Sequence, residues 1–169
     1  MVIVGVDTAL RKTGYGVIKI TGPNSVEILD CGVIKNSQKL KHSECLRRIA
    51  GGVKELIKIF QPESFSIEDA FYSLNHKTTI VLSMARAAVI TTVAEHNIPI
   101  YNYSPRTAKK SAVGTGAASK EQVAIMMASI LKVDVSKIPN DSTDALSLAL
   151  CHGYLAQNKQ LDLISKHQI

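Results

Sequence analysis

Three features of the 169-residue chain predict an α/β layer fold, a mixed sheet with helices packed on it. The first part of the chain reads as three strands in succession. Helical segments then alternate with two further short strands. The clearest of these helices keeps its apolar residues to one side, as a helix laid on a sheet must.

Val2-Ile3-Val4-Gly5-Val6 is too short for a helix and rich in β-branched residues, which reads as a buried central strand with Asp7 at its far end. Thr8–Thr13 reads as a turn, and Gly14–Ile20 as the second strand of an antiparallel hairpin. Asn24-Ser25 turns the chain into a third strand, Val26–Lys35. Ser43 is placed to cap a helix running to about Phe60, with Leu46, Ile49, Ala50, Val53, Leu56, Ile57 and Phe60 at helical spacing. Gln61-Pro62 ends it, and Ser64–Glu68 reads as a strand that finishes on an acid, as the first one does.

Phe71–Asn75 is a loop with two aromatics, and Thr78–His96 reads as a long helix, mostly buried on its Ala, Val and Ile content. Ile98–Tyr101 is a strand with Pro99 near its start. Ser104-Pro105 pairs an N-cap with proline at the first helical position, opening a short helix through Lys110. Gly114-Thr115-Gly116 breaks the chain, and Ser119 with Gln122 forms a capping box before a helix carrying Val123, Met127, Ile130 and Leu131. Asp141-Ser142-Thr143-Asp144 leads into a last helix, Ala145 to about Ala156, and a frayed tail. One domain over 1–156 with a tail over 157–169 is expected, large enough to bury a core.

Hydrophobic residues make up 46% of the chain, so disorder is not the default. No apolar run approaches the roughly 18 residues of a membrane span, and the start lacks a signal-peptide pattern. Cys31, Cys45 and Cys151 form neither a zinc pattern nor a disulfide framework, which favours a reducing, cytoplasmic setting. The five histidines show no ligand spacing, and there is no phosphate loop of Walker type or nucleophile elbow. The net charge of +6 favours a polyanionic partner. Basic residues gather in Lys35–Lys58, as a solvated helix face or a binding face, and in Ser104–Lys137 beside the Gly114–Gly116 segment, where phosphate contacts are favoured.

Asp7, Glu68, Asp141 and Asp144 stand where elements begin or end. Asp7 and Glu68 would lie side by side if their strands are parallel neighbours. Asp141 and Asp144, three apart at a helix start, share one side of it. A few carboxylates, with water and phosphate completing the shell, suit Mg²⁺ or Mn²⁺. Two such ions roughly 4 Å apart clamp the attacking and leaving oxygens of a phosphodiester. Each acid also has a plainer reading: Asp141 as a helix cap, Asp144 as a partner of the helix dipole, Asp7 as a turn residue, Glu68 as half of an ion pair.

Four separated motifs, GVDTALRKTGYGVI, IEDAF, VGTGAASKEQV and DSTDALSLAL, resemble the RuvC Holliday-junction resolvases in order and approximate spacing, from Val2 to Gly153. The resemblance implies an RNase H-like fold with a five-stranded mixed sheet, and a homodimer acting on four-way DNA junctions. It implies that Asp7, Glu68, Asp141 and Asp144 hold Mg²⁺, with two ions per site, and that water attack leaves 5′-phosphate and 3′-hydroxyl ends. It gives Phe71 a stacking role on DNA bases near the crossover, and gives functional roles to Lys109 and Lys120, Lys120 counting with the catalytic set. Branch-migration proteins are partners by resemblance alone. Two departures stand out. Thr8-Ala9 replace the family's usual Pro-Gly, so the turn beside Asp7 is expected to differ, and Asp69-Ala70 follow Glu68, adding negative charge near the DNA path. The alternatives are a related nuclease on another structured nucleic acid, a non-catalytic branched-DNA-binding module, and a phosphotransferase of the actin and sugar-kinase type. For the last, 169 residues leave no room for the second domain.

Overall fold

A computed structural model describes residues 1–22, 25–69, 75–104, 106–108, 138–157 and 165–169. The strands are β1 (Val2–Asp7), β2 (Lys12–Gly22), β3 (Ser25–Lys35), β4 (Ser64–Glu68) and β5 (Ile100–Tyr103). They form one five-stranded sheet in the order β3-β2-β1-β4-β5. β1 and β2 are antiparallel, as are β2 and β3, whereas β4 runs parallel to both β1 and β5. The helices are α1 (His42–Phe60), α2 (His76–Ala94) and α3 (Asn140–Gln157).

Strand alternation sorts the core into two layers. Val4, Val6, Phe65 and Ile67 point to the side covered by α1 and α2 and pack with Ile49, Val53, Ala85 and Val89. Ile3, Ile18 and Ile20 point to the other side and pack against Leu146, Ala149 and Leu150 of α3. Gly5, Gly14 and Gly16 lie on this second side, and each is needed there. A Cβ on Gly5 would lie 1.9 Å from the Ala145 carbonyl oxygen, and one on Gly14 would lie 2.0 Å from that of Asp141. One on Gly16 would meet the Leu146 side chain at 2.6 Å. The glycines form a track that lets α3 lie with its backbone against β1 and β2.

Several boundaries differ from the sequence expectation. Lys12 and Thr13 belong to β2, not the turn, and β5 starts after Pro99. Helix α1 begins at His42 with Lys41 as N-cap and no side-chain capping bond, so Ser43 does not cap it. Helix α2 begins two residues early because Asn75 caps it, accepting from the Lys77 and Thr78 N–H groups. It is not mostly buried: only Ala85, Val89, Thr92 and Val93 are, while Ile80 and Met84 are exposed. By length and composition it is apolar enough to cross a membrane, but Lys77 and Arg86 interrupt it, so no apolar run in it approaches a membrane span. Helix α3 starts at Asn140, so Asp141 and Asp144 sit inside its first turns and neither is the cap. The last residues are not frayed: Gln168 bridges Tyr101, and the Ile169 N–H donates to the Ile100 carbonyl at 3.0 Å. Ser104 does cap, its hydroxyl accepting from the Thr107 N–H at 3.1 Å. The expected capping box at Ser119 and the helix after it lie outside the described residues.

The far end of α3 carries a buried polar cluster. His152 is 3% exposed, stacks on Tyr101 at 4.2 Å and shares a 2.7 Å hydrogen bond through Nδ1 with the Tyr103 hydroxyl. Burial lowers the His152 pKa to about 4.

Gly5→Ala pushes α3 off the sheet and lowers unfolding free energy by about 1–3 kcal/mol, read from urea titrations. Because the unfolded imidazole takes a proton near pH 6.5 and the folded one only near pH 4, the His152 contribution is complete above pH 6.5 and lost as pH falls towards about 4. The loss is roughly 3 kcal/mol. His152→Gln removes that part of the acid slope, and an unchanged slope in the variant would refute the assignment.

Candidate active site

The site is built by the register of the two central parallel strands. Val6 pairs with Ile67, so Asp7 and Glu68 are the next residues along and stand side by side at the carboxyl ends of β1 and β4. Asp7 shares a face with Gly5, and Glu68 with Ser66, so both acids project to the α3 side. Across the hairpin, Asp7 pairs with Gly14, over which Asp141 sits: the Asp141 Cβ is 3.0 Å from where a Gly14 Cβ would be. The glycine track therefore sets the start of α3 above Asp7.

Asp144 heads a different row of the same helix. It lies one turn before Leu148, which packs with Cys151 against Tyr103, and Tyr103 is the β5 partner of Glu68. Asp141 thus leads towards β1 and β2, and Asp144 towards β4 and β5. All four acids are partly exposed, open to a substrate as well as to one another. The first turn of α3 is held by the Ser142 and Thr143 N–H groups donating to Pro139 O, and by the Ser142 hydroxyl donating to Gly32 O at 2.8 Å.

The turn beside Asp7 is rigidly tied although it lacks Pro-Gly. Buried Asn36 donates through Nδ2 to the Leu10 carbonyl at 2.8 Å, and its N–H donates to Arg11 O at 2.9 Å. The Arg11 guanidinium donates to the Ser37 and Leu40 carbonyls, and Thr13 Oγ1 donates to Ala9 O. Arg48, from the basic stretch of α1, donates to Asn36 Oδ1 at 3.0 Å and to the Lys35 carbonyl. Lys54 pairs with Glu95 at 3.2 Å. These two cations are committed to the fold, so the α1 stretch is not a uniform binding face.

Sequence reading missed Arg86. Its guanidinium comes from α2, on the opposite side of the sheet, and donates to the Glu68 carbonyl. Burial lowers its pKa, and the charges of Asp69 and Glu68 oppose that shift. Asp69 faces away from the acid site, as alternation requires, and accepts from Asn102 Nδ2 at 2.8 Å. No sequence pattern links positions 68, 69, 86 and 102; only the β4–β5 register and the α2 crossing bring them together.

The donor set suits a hard divalent cation: carboxylate oxygens from strand and helix ends, arranged in facing pairs. Among the described residues no group of three or more His, Cys, Asp and Glu side chains forms a ready cage for a metal ion. Mg²⁺ needs none, since it is commonly held by one or two carboxylates with waters and phosphate oxygens completing the shell. Phe71, Lys109 and Lys120 lie outside the described residues, as does the Gly114–Gly116 segment.

The family model described as crossover junction endodeoxyribonuclease RuvC matches residues 3–152. A relative of that name from Alkaliphilus metalliredigens is 36% identical, the match covering 91% of this chain and 93% of the relative. One from Vibrio vulnificus is 40% identical over 89% of this chain and 86% of its own length. Thermus thermophilus RuvC, solved in complex with a Holliday junction substrate, superposes with a TM-score of 0.89 at 31% identity, covering 94% of this chain and 96% of that one. With the five-stranded mixed sheet flanked by helices, these likenesses make the fold RNase H-like. The chain belongs to the RuvC family of crossover junction endodeoxyribonucleases.

Proposed function

We propose that this chain is a metal-dependent endonuclease that resolves four-way DNA junctions by paired symmetric nicks during recombination and repair. It hydrolyses phosphodiesters to 5′-phosphate and 3′-hydroxyl ends. The observation that carries this reading is the convergence of Asp7, Glu68 and the first turns of α3 on one face at one end of the sheet.

In this reading Asp7, Glu68, Asp141 and Asp144 hold two Mg²⁺ ions per site, with Mn²⁺ able to substitute. When bound, the ions activate water and stabilise the charge that develops on the phosphate oxygens. The carboxylates have a second effect, since their negative charge repels a phosphate from any approach that does not pass over bound cations. Lys120 neutralises charge in the transition state, Lys109 contacts backbone phosphate, and Phe71 stacks on a base beside the crossover. The protein acts as a homodimer, which supplies the two sites that paired nicks require, and exposed Ile80 and Met84 on α2 are apolar surface suited to such a contact. It is a cytoplasmic protein in which 1–156 form the nuclease domain, and branch-migration proteins are its partners by family.

The test is cleavage of an immobile four-way junction and a matched linear duplex in Mg²⁺, in Mn²⁺ and in EDTA. Symmetric, metal-dependent nicking confined to the junction is expected; tight junction binding with no cut under any condition would favour a binding module instead. Asp7→Asn lowers the cleavage rate on the order of 10³-fold while junction binding persists, because several kcal/mol of charge stabilisation are lost at about 1.4 kcal/mol per decade. Arg86 acts through Glu68 as a positioning residue. Arg86→Gln lowers kcat by about 10–100-fold with little change in KM, and Arg86→Lys recovers part of the loss. Equal loss in both variants, tracking thermal stability, would reduce Arg86 to a structural role.

A further inference from the structure

The row of the sheet just beyond the carboxylates carries two lysines that form no ion pair among the described residues. Lys12 and Lys35 are direct partners across β2 and β3. Lys12 shares its face with Gly14 and Gly16, and Lys35 shares its face with Val33, the partner of Gly14. Both lysines therefore stand on the α3 side with Asp7 and Asp141, two residues farther along the strands, about 7 Å away. Both are exposed. Among the described residues the ion pairs are the N-terminus with Glu63 and Lys54 with Glu95, so neither lysine has an acid partner there. Lys39 and Lys41 are also exposed and follow in the connection to α1, which Arg11 ties to the same end of the sheet.

This arrangement works against folding. Like charges directly opposite in an antiparallel pair are destabilising. The surrounding backbone cannot relax the repulsion by fraying, because Asn36 and Arg11 fix the strand ends on either side. A polyanion laid along this face reverses the sign, since each lysine then gains a phosphate.

We propose that the Lys12–Lys35 pair, with Lys39 and Lys41 behind it, is a docking strip for the sugar–phosphate backbone of a DNA arm leaving the carboxylate site. The proposal rests on the nuclease reading above and extends it to residues outside the acid, aromatic and lysine set. Lysine ammonium groups are point charges on flexible stems, so the strip sets affinity and the path of the arm, and reads no sequence.

The test is junction binding in EDTA, where nothing is cut, measured as a function of salt. Lys12→Gln lowers the slope of log affinity against log salt by about 1, and Lys12→Gln with Lys35→Gln by about 2. Lys58→Gln removes the same charge from the last turn of α1, at the opposite end of that helix, and leaves the slope unchanged. Lys12→Glu reverses the charge at that position and weakens binding further than Lys12→Gln. A wild-type protein that binds no junction overturns the functional reading itself. Wild-type binding with Lys12 and Lys35 variants that match Lys58→Gln overturns the strip alone.

Discussion

The close approach of α3 to β1 and β2 is the constraint on which the rest of the structure depends. Backbone packs on backbone there, and no residue larger than glycine fits at positions 5 and 14 without moving the helix. That contact fixes the depth of α3 and the point on the sheet where its first turn begins. Because Gly14 is also the partner of Asp7, one geometric fact both seats the helix and brings Asp141 to Asp7. The helix start is a favourable place for acids, since the helix dipole offsets part of the repulsion between carboxylates. Structural and chemical demands coincide at this end of α3.

Adjacent residues at the end of β4 divide their work between the two sides of the sheet. Glu68 faces α3 and the other acids. Asp69 faces α2, where Asn102 and the charge of Arg86 engage it. The extra negative charge that sets this chain apart after its glutamate is therefore turned away from the acid row. Arg86 holds the Glu68 carbonyl from behind, so the strand end that carries this carboxylate is clamped from the opposite face of the sheet. A charged guanidinium half-buried under a sheet is costly without such partners.

Much of this was legible in the sequence because it follows from short-range rules. The apolar β-branched run of β1 and the short Ser64–Glu68 segment, each ending on an acid, marked two neighbouring central strands. What sequence reading lost depended on contacts between distant segments. The glycines at 5, 14 and 16 read as ordinary strand and hairpin residues, and only the crossing of α3 explains them. The apolar content of α2 suggested a buried helix, but composition does not say how many sides a neighbour covers, and Ile80 and Met84 remain exposed. The early start of α3 was hidden because Asp-Ser-Thr-Asp is good capping sequence, while here the Pro139 carbonyl receives the first N–H groups. The tail looked polar and frayed, yet its last residues pair with β5, an edge no local pattern points to.

The rows of charge at the active end of the sheet are best understood together. Carboxylates and lysines about 7 Å apart lie within a Debye length of each other at physiological salt, so their fields overlap. Taken alone, the acid row would attract the Lys12 and Lys35 ammonium groups and ease their mutual repulsion. If the acids hold cations, as proposed, that attraction would be cancelled and the mutual repulsion of the lysines restored. In that reading a phosphate backbone would gain from both rows, from the metal site and from the lysines one step along. The carboxylates proposed to hold the ions would thus govern how strongly the neighbouring lysines seek an anion, and metal loading would be coupled to DNA docking without any movement of the backbone.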